Sequence, residues 1–396
     1  MLKKRGVLEE KGFFNLHKSW MAVATMVGTI VGAGILGIPY VIAKAGFFYG
    51  LLLIAGIGIS FIFLNLFAGE IILRTKEQHQ LTGYAEKYLG KKGKKILTIS
   101  LLISIYGALT AYLIGEGATL HAIFGFSSPL IYSIVFFIVA TTIIYHGMKA
   151  TGKAELILIA LLLVTVILIG VFSYNQIQTK NFSSFDYHYL FLPYGVILFA
   201  LMGLPALPEV QEVLGKEKKK MKKVILLGSI IPIVLYLLFT VVIIGIVGED
   251  HFDLLEPNDR IATIALKMYS LPLLGTFANM LAVLAMFTSF LSLGTALTEI
   301  YRYDYGFSKA IAFLLTFSIP LIIFFFQLTS FIAILGVTGA VAGGIDAILI
   351  IIMYWKAKIL GERKPEYQLA QHKLLGIVLI LMFAVGILYQ LWINFF

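Results

Sequence analysis

The chain has 396 residues, of which 60% are hydrophobic and only 13% charged, and its mean hydropathy is +0.94. These values exclude a soluble globular protein and indicate a membrane protein with many spans. The chain has no cysteine, which excludes a disulfide framework, a thiolate metal site and a cysteine nucleophile. The formal net charge of +10 raises the question of nucleic-acid binding, which the positions of the charges answer.

Eleven apolar runs follow one another along the chain, each long enough to cross a hydrocarbon core of about 30 Å as a helix. They lie at residues 20–43, 47–73, 95–121, 128–147, 155–175, 189–213, 223–248, 271–301, 307–327, 329–355 and 373–395. Each is predicted to be helical, because backbone in lipid must satisfy its own hydrogen bonds. Residues 1–19 carry basic groups without a signal-peptide pattern and are predicted to form a cytoplasmic tail.

The basic residues give the orientation. If the N-terminus is cytoplasmic, only four of the 31 basic residues fall in spans or segments on the outer side, namely Lys44, Lys180, Arg260 and Lys267. This distribution follows the positive-inside rule and predicts a multi-pass cell-membrane protein with an extracytoplasmic C-terminus. The basic run KEKKKMKK at 216–223 is then a loop facing lipid headgroups, so we expect membrane lipid and no nucleic acid as a partner.

The stretch from Gly32 to Gly37 has the G-x-G-x-x-G spacing of a dinucleotide-binding loop. Such a loop requires a preceding strand and an acidic residue about 20 positions later. Here an apolar run precedes it, Pro39 follows, and the next carboxylate is Glu70. Close packing of neighbouring helices at Gly28 and Gly32 is one alternative. The dense glycine cluster near mid-span favours a break in the helix, which is tolerated at this depth where backbone lines a cavity.

The sixth span contains a second candidate break, at Gly203, Pro205 and Pro208. Two discontinuous helices in corresponding positions are typical of transporters built from inverted repeats. This pattern predicts one repeat over 20–176, a second over 189–355, and an additional helix at 373–395. Unpaired amides at a half-helix N-terminus bind a carboxylate, and the carbonyls released opposite them bind an ammonium group. A zwitterionic amino acid is therefore the predicted substrate.

Two motifs resemble those of a known superfamily. GTIVGAGILGIPY at 28–40 resembles the first-helix signature of amino-acid permeases in the amino-acid/polyamine/organocation superfamily. MFTSFLSLGTALTEIY at 286–301 resembles a signature of its hydroxy and aromatic amino-acid permease branch, which is related to the amino acid/auxin permeases. The resemblance implies an all-α, LeuT-like five-plus-five inverted repeat with discontinuous helices 1 and 6, an eleventh helix, and coupling to an ion gradient.

The resemblance also implies site residues. Those expected at the substrate are Thr29, Gly32, Ala33, Gly34, Tyr106, Phe199, Ala200 and Gly203. The amides of Gly32 and Gly34 would meet the carboxylate, and the residues of span six would line the side-chain pocket. A sodium ion would be held by Thr288, Ser289 and carbonyls near Gly28. Since Gly28 stands where some sodium-coupled relatives carry an asparagine, proton coupling is favoured.

Carboxylates inside the spans are the candidate proton carriers, because an ionisable group at the bilayer centre costs about 2.5–3.5 kcal/mol. They are Glu116, Glu209 and Asp346, whereas Glu70 is expected to pair with Arg74 one turn later. The sequence thus predicts a proton-coupled secondary active transporter of hydrophobic or aromatic amino acids that works by alternating access. It is not expected to be an enzyme or to carry a cofactor. A non-transporting amino-acid sensor and a polyamine or other cation carrier stay open as alternatives.

Overall fold

A computed structural model describes residues 18–147, 152–270, 272–303 and 305–395, and within these ranges the chain is helical with no strand. Most of the predicted tail therefore lies outside the described residues. The α-helices are α1 Lys18–Ile30, α2 Gly34–Ala45, α3 Phe47–Arg74, α4 Leu81–Phe124, α5 Pro129–Tyr145, α6 Gly152–Phe172, α7 Leu192–Leu201, α8 Leu207–Leu214, α9 Met221–Asp253, α10 Ala262–Tyr269, α11 Pro272–Tyr303, α12 Lys309–Phe325, α13 Phe331–Thr338, α14 Gly344–Leu360 and α15 Lys373–Phe395.

Each predicted span coincides with one helix or with a pair of helices. In the described part of the chain, seven helical segments are long and apolar enough to cross a membrane, and the bent pair α1–α2 makes an eighth. The remaining predicted spans correspond to α5, α6 and α12, of which α5 and α12 are apolar helices of 17 residues. The short helix α10 lies in the predicted outer segment between spans seven and eight.

The first span is broken as its glycines predict. Helix α1 ends at Ile30, residues 31–33 are not helical, and α2 begins at Gly34 with its axis turned by 53°. Pro39 lies inside α2, where it removes one amide donor from the helix. The break leaves carbonyls at the end of α1 and amides at the start of α2 without helical partners, although the Val31 amide donates to the Val27 carbonyl at 2.7 Å and the Leu36 amide to the Ala33 carbonyl at 3.0 Å.

The sixth span is interrupted in a different way. Helix α7 ends at Leu201, Met202 is extended with φ −66° and ψ 102°, and a single 3₁₀ turn leads into α8. Pro205 and Pro208 lie at the first positions of that turn and of α8, where the missing amide has no helical partner to lose. The prolines thus begin the second half of the span.

Span ten packs against α7 through glycines. It contains a π-helical segment, Gly339–Gly343, between α13 and α14. A Cβ atom at Gly195 would collide with the carbonyl of Gly336, and one at Gly339 would collide with the carbonyl of Gly195. Only glycine permits such close approach of two backbones, so these contacts fix the broken sixth span against span ten.

A buried carboxylate, Glu70, holds the C-terminal end of span two. Glu70 accepts hydrogen bonds from Arg74 at 2.9 Å and from the Leu369 amide at 2.8 Å, and it lies 2.6 Å from the ammonium of Lys358. The expected pair with Arg74 is confirmed. The additional partners show that Glu70 joins span two to span ten and to the connection before α15.

Candidate functional site

The two breaks are in contact at two places, Gly34 against Ala200 and Gly203 against Ile30. A Cβ atom at Gly34 would lie 2.6 Å from the Cα of Ala200, and one at Gly203 would lie 2.7 Å from the Ile30 side chain. The contact at Gly34 is with backbone and is too short for any side chain, so the first turn of α2 and the end of α7 approach each other as only glycine allows, whereas Gly203 meets the flexible Ile30 side chain. The structure therefore brings together three of the residues expected at the substrate.

The N-terminal end of α2 presents backbone amides. Its N-cap residue is Ala33, which has no side-chain group to accept a hydrogen bond from the first turn. The hydroxyl of Tyr112, on α4, lies 3.9 Å from the position a Cβ of Gly32 would take. Free amides, the positive end of a helix dipole and a nearby hydroxyl together suit a carboxylate.

Released carbonyls lie on the other side of the breaks. Ile30 and Ala200 lie where α1 and α7 end, and both carbonyls meet the hydroxyl of Tyr236 on α9. The hydroxyl oxygen is 2.9 Å from the Ile30 carbonyl oxygen and 2.8 Å from that of Ala200. Tyr236 is fully buried. This side of the site is rich in oxygen acceptors and suits a cationic donor.

A buried amide lies beside the break in span six. Asn65 of α3 donates to the Ser229 hydroxyl at 3.1 Å, and its Nδ2 lies 3.7 Å from the position of a Cβ at Gly203. Its Oδ1 has no hydrogen-bond partner among the described residues. Four residues near the breaks were not expected from the sequence, namely Asn65, Ser229, Tyr112 and Tyr236. A signal for two of them was available, because Asn65 in FIFLNLF and Tyr236 in IPIVLYLLF are polar residues within apolar spans.

The side chains around the end of α7 are apolar. Phe199 and Met202 are half-buried and lie next to span ten, where a Cβ at Gly339 would be 2.8 Å from that of Phe199. A Cβ at Gly343 would be 3.3 Å from the Met202 sulfur. The predicted pocket residue Phe199 thus forms an apolar wall together with Met202, which the sequence analysis did not select.

Tyr106, which was expected at the substrate, contacts α11 and α12 in this structure, and its role at the substrate stays a prediction. The Tyr106 hydroxyl is 2.6 Å from that of Tyr301 on α11 and donates to the Leu315 carbonyl of α12 at 3.0 Å. Tyr112 follows Tyr106 by six residues on α4, and this spacing turns its side chain to a face about 120° away. Tyr112 is therefore the tyrosine that lies beside the first break. The hydroxyl of Thr29 is exposed and donates to the Thr25 carbonyl of its own helix at 3.0 Å.

The three candidate proton carriers have different surroundings. Glu116 and Asp346 are buried, and neither has a hydrogen-bond partner for its carboxylate oxygens among the described residues. Ser100 lies beside Asp346 and donates to the Ala342 carbonyl at 3.0 Å. Glu209 is exposed in the first turn of α8, where the helix dipole favours a negative charge. Glu116 and Asp346 therefore differ from Glu209 in being buried.

The candidate sodium ligands lie on two helices. Gly28 is half-buried in the last turn of α1, and Thr288 and Ser289 are half-buried in α11. The Thr288 hydroxyl donates to the Ala285 carbonyl at 3.1 Å, and a sodium site there stays a prediction. Within the described ranges, no three His, Asp or Glu side chains are grouped to hold a metal ion.

The outer end of α2 is closed by charged groups and by α10. Lys44 pairs with Glu249 at 3.3 Å and with Asp253 at 3.0 Å, and Arg260 donates to the Tyr40 hydroxyl at 3.0 Å. Helix α10, which follows Arg260, packs on α2, α4, α9 and α11 with Ala262, Ile264, Ala265 and Leu266 fully buried. In the predicted orientation, these elements lie on the outer side of the breaks.

A broken first span packed against an interrupted sixth, with an amide pole and a carbonyl pole where they meet, defines a membrane transporter for a small polar solute. The comparison with solved structures confirms the LeuT-like fold. The crystal structure of MhsT in complex with L-phenylalanine superimposes with a TM-score of 0.65 and 16% identity, over 97% of this chain and 99% of that one. The chain belongs to the tryptophan/tyrosine permease family, whose profile matches residues 15–392.

Curated relatives of the chain are transporters, so the chain is a permease and not an enzyme. Tyrosine-specific transport system 2 of Haemophilus influenzae is 24% identical over 92% of this chain and 96% of its own length. Glutamine transporter 2 of Aliivibrio fischeri is 26% identical over 79% and 82%, respectively. The low affinity tryptophan permease of Escherichia coli strain K12 is 22% identical over 82% and 84%. The family resemblance read from the two motifs is confirmed.

Proposed function

We propose that this protein imports hydrophobic or aromatic amino acids into the cytoplasm by proton-coupled alternating access. The observation that carries the proposal is the contact of the two breaks, with the free amides of α2 on one side and the Ile30 and Ala200 carbonyls on the other. A zwitterion satisfies both poles at once, whereas a polyamine would leave the amide pole empty. The names of the tyrosine, tryptophan and glutamine transporters among the relatives support an amino-acid substrate.

The apolar wall supports the choice of side chain. Phe199 and Met202 keep part of their surface uncovered at the end of α7, and the polar side chains that the structure places beside the break in span six, Tyr236, Asn65 and Ser229, are all neutral. A charged substrate side chain would lose its hydration there without gaining a partner. A large apolar or aromatic side chain gains by burial at about 25 cal/mol per Å².

Glu116 is the proposed proton carrier. It lies one helical turn beyond Tyr112 on α4, so the two side chains lie on the same face of that helix, and the Tyr112 hydroxyl lies beside the first break. A buried ionised carboxylate without a partner is costly, and a proton removes that charge. Binding of a proton from the outer side and its release to the inner side would then favour the inward movement of substrate. Asp346 is the alternative carrier, on a different span.

The test is uptake by the purified protein in liposomes, with a pH gradient and a sodium gradient imposed separately. The unlabelled competitors are tyrosine, tryptophan, phenylalanine, leucine, glutamine and putrescine. We expect accumulation with the pH gradient alone and competition by the aromatic amino acids. Accumulation with sodium alone would overturn the proton assignment, and competition by putrescine but not by amino acids would indicate a cation carrier. Binding of amino acids without uptake under either gradient would indicate a sensor.

A further inference from the structure

The hydroxyl of Tyr236, on α9, contacts one backbone carbonyl from each of the two breaks. Its oxygen is 2.9 Å from the Ile30 carbonyl and 2.8 Å from the Ala200 carbonyl, and the side chain is fully buried. Both carbonyls belong to residues at helix ends, since α1 stops at Ile30 and α7 stops one residue after Ala200. A single side chain therefore joins the two interrupted spans.

The three oxygen atoms share one proton. A phenol has a single O–H group, whereas each carbonyl oxygen has two lone pairs and the phenol oxygen has lone pairs of its own. The O–H can be directed to one carbonyl or divided between both, and in either case acceptor capacity stays unused. Buried acceptors in surroundings of low polarity attract a donor strongly, and a charged donor most of all. The ligand that complements such a cluster is a cation with several N–H groups.

We propose that Tyr236 is a direct ligand of the substrate α-ammonium group, accepting a hydrogen bond from it while the Tyr236 O–H continues to hold the carbonyls of the two breaks. The ammonium then has three oxygen acceptors, from α1, α7 and α9, for its three N–H donors. This inference rests on the proposed function, because it requires an amino-acid substrate. It makes the tyrosine a specificity residue that selects ligands with an α-ammonium group.

The test compares two ligands that differ only in the ammonium group. Inhibition of uptake is measured for L-tyrosine and 3-(4-hydroxyphenyl)propionate, or for L-tryptophan and 3-indolepropionate, according to which amino acid the protein transports. Tyr236→Phe should weaken inhibition by the amino acid about tenfold or more, as expected for loss of a hydrogen bond to a charged group, and should change that of the deaminated analogue by less than about threefold. The ratio of the two constants is the readout.

Tyr354→Phe is the matched control. The Tyr354 hydroxyl is also buried and donates to a backbone carbonyl, that of Ala370 at 2.9 Å, but it lies at the inner end of span ten. This variant should leave the ratio unchanged. Two outcomes for Tyr236→Phe would overturn the inference. An unchanged ratio would mean that Tyr236 has only a structural role, and a rise in preference for the amino acid would mean that its hydroxyl competes with the ammonium group. If the unmodified protein bound no amino acid, the proposed function itself would fail.

A second measurement covers the case in which Tyr236→Phe does not fold. Incorporation of 3-fluorotyrosine at position 236 retains the O–H but makes its oxygen a weaker acceptor and its proton a better donor. A direct ammonium ligand predicts weaker binding of the amino acid with this residue. A hydroxyl that only donates to the Ile30 and Ala200 carbonyls predicts unchanged or stronger binding, which would contradict the inference.

Discussion

Gly34 carries the closest contact between the two broken spans. Because a Cβ there would lie 2.6 Å from the Cα of Ala200, any side chain must push α2 away from α7. Overpacking of this kind costs about 1–3 kcal/mol and displaces backbone. The displacement would move the amides of the first turn of α2 away from the carbonyl pole.

We therefore expect Gly34→Val to reduce amino-acid uptake by about tenfold or more, since both the site geometry and the packing of α2 depend on this contact. The control is Gly56→Ala on α3, where a Cβ meets nothing within 4 Å. That control should keep uptake, and it gains helix propensity of about 0.5–1 kcal/mol. Uptake and binding are measured in liposomes. Full activity of Gly34→Val would mean that uptake does not depend on the contact between Gly34 and Ala200.

Glu116 gives the second residue-scale prediction. Glu116→Gln keeps the size of the side chain but cannot exchange a proton, so the variant should lose accumulation driven by a pH gradient by about tenfold or more. Exchange of labelled for unlabelled substrate across the membrane should persist, because it requires no net proton movement. Both rates are measured on the same liposomes.

Glu86→Gln is the matched control, because Glu86 is an exposed carboxylate at the inner face. The hydrogen bond from Lys94 holds the pKa of Glu86 below its usual range, so this group is ionised at neutral pH and does not act as a carrier. Asp346→Asn is the competing arm. Loss of accumulation there, with Glu116→Gln fully active, would move the carrier from span three to span ten.

The backbone features of the predicted site are easier to read from the sequence than its side chains. Gly34 and Gly203 could be singled out because glycine and proline act through the backbone, whose consequences are local, whereas Ala200 was expected only from the family resemblance. Tyr106 was selected by its position along span three, but the face that a helix presents depends on its neighbours. The rotation that places Tyr112 beside Gly32 and Tyr106 against α11 and α12 is a tertiary property. The same reason hid Tyr236 and Asn65.

At the scale of elements, α10 and the segment before it cover the breaks on the side that the charge distribution predicts to be outer. The sequence does not single out α10, since a helix of eight residues has too few turns for a clear apolar pattern. Its inner surface is buried, and Lys267 at its end donates to the Ala122 carbonyl of α4. The ion pairs of Lys44 hold the end of α2 to the segment after span seven. Under the proposed alternating access, opening toward the outside is expected to separate these contacts.

Lys44→Gln should therefore shift the population toward outward-open forms. Partly exposed ion pairs contribute about 0.5–1 kcal/mol, so the shift should be about two- to fivefold. This shift can be measured by labelling, because the chain lacks cysteine and a single cysteine can be introduced in place of Ala282. Ala282 is buried in a small cavity next to Leu36 of α2. We expect faster reaction of this cysteine with a membrane-impermeant maleimide in the Lys44→Gln background.

The control for this experiment is Lys94→Gln, which removes an exposed ion pair with Glu86 at the inner face. That change should leave the labelling rate of the Ala282→Cys reporter as it is. Equal labelling in both backgrounds would mean that the Lys44 ion pairs do not hold the outer side closed.

At the scale of the whole molecule, the fold was predictable because lipid leaves few choices. A spanning segment must be helical, an apolar run of the right length marks it, and an interruption shows as glycine or proline. For that reason the eleven spans, both breaks and the LeuT-like class agree with the helices and with the MhsT comparison. The division into two inverted repeats at 20–176 and 189–355 stays a prediction.

Orientation in the membrane is the last expectation at this scale, and it follows from charge alone. Moving basic loops across a membrane is unfavourable, so the basic segment at 216–223 is expected inside and the acidic segment at 248–259 outside. Lys219 and Asp250 are exposed in these two segments. A cysteine in place of Asp250 should react with an impermeant maleimide on intact cells, whereas one in place of Lys219 should react only after the membrane is permeabilised. The reverse pattern would invert the topology, and proton-driven uptake would then have to be assigned to the opposite face of the transporter.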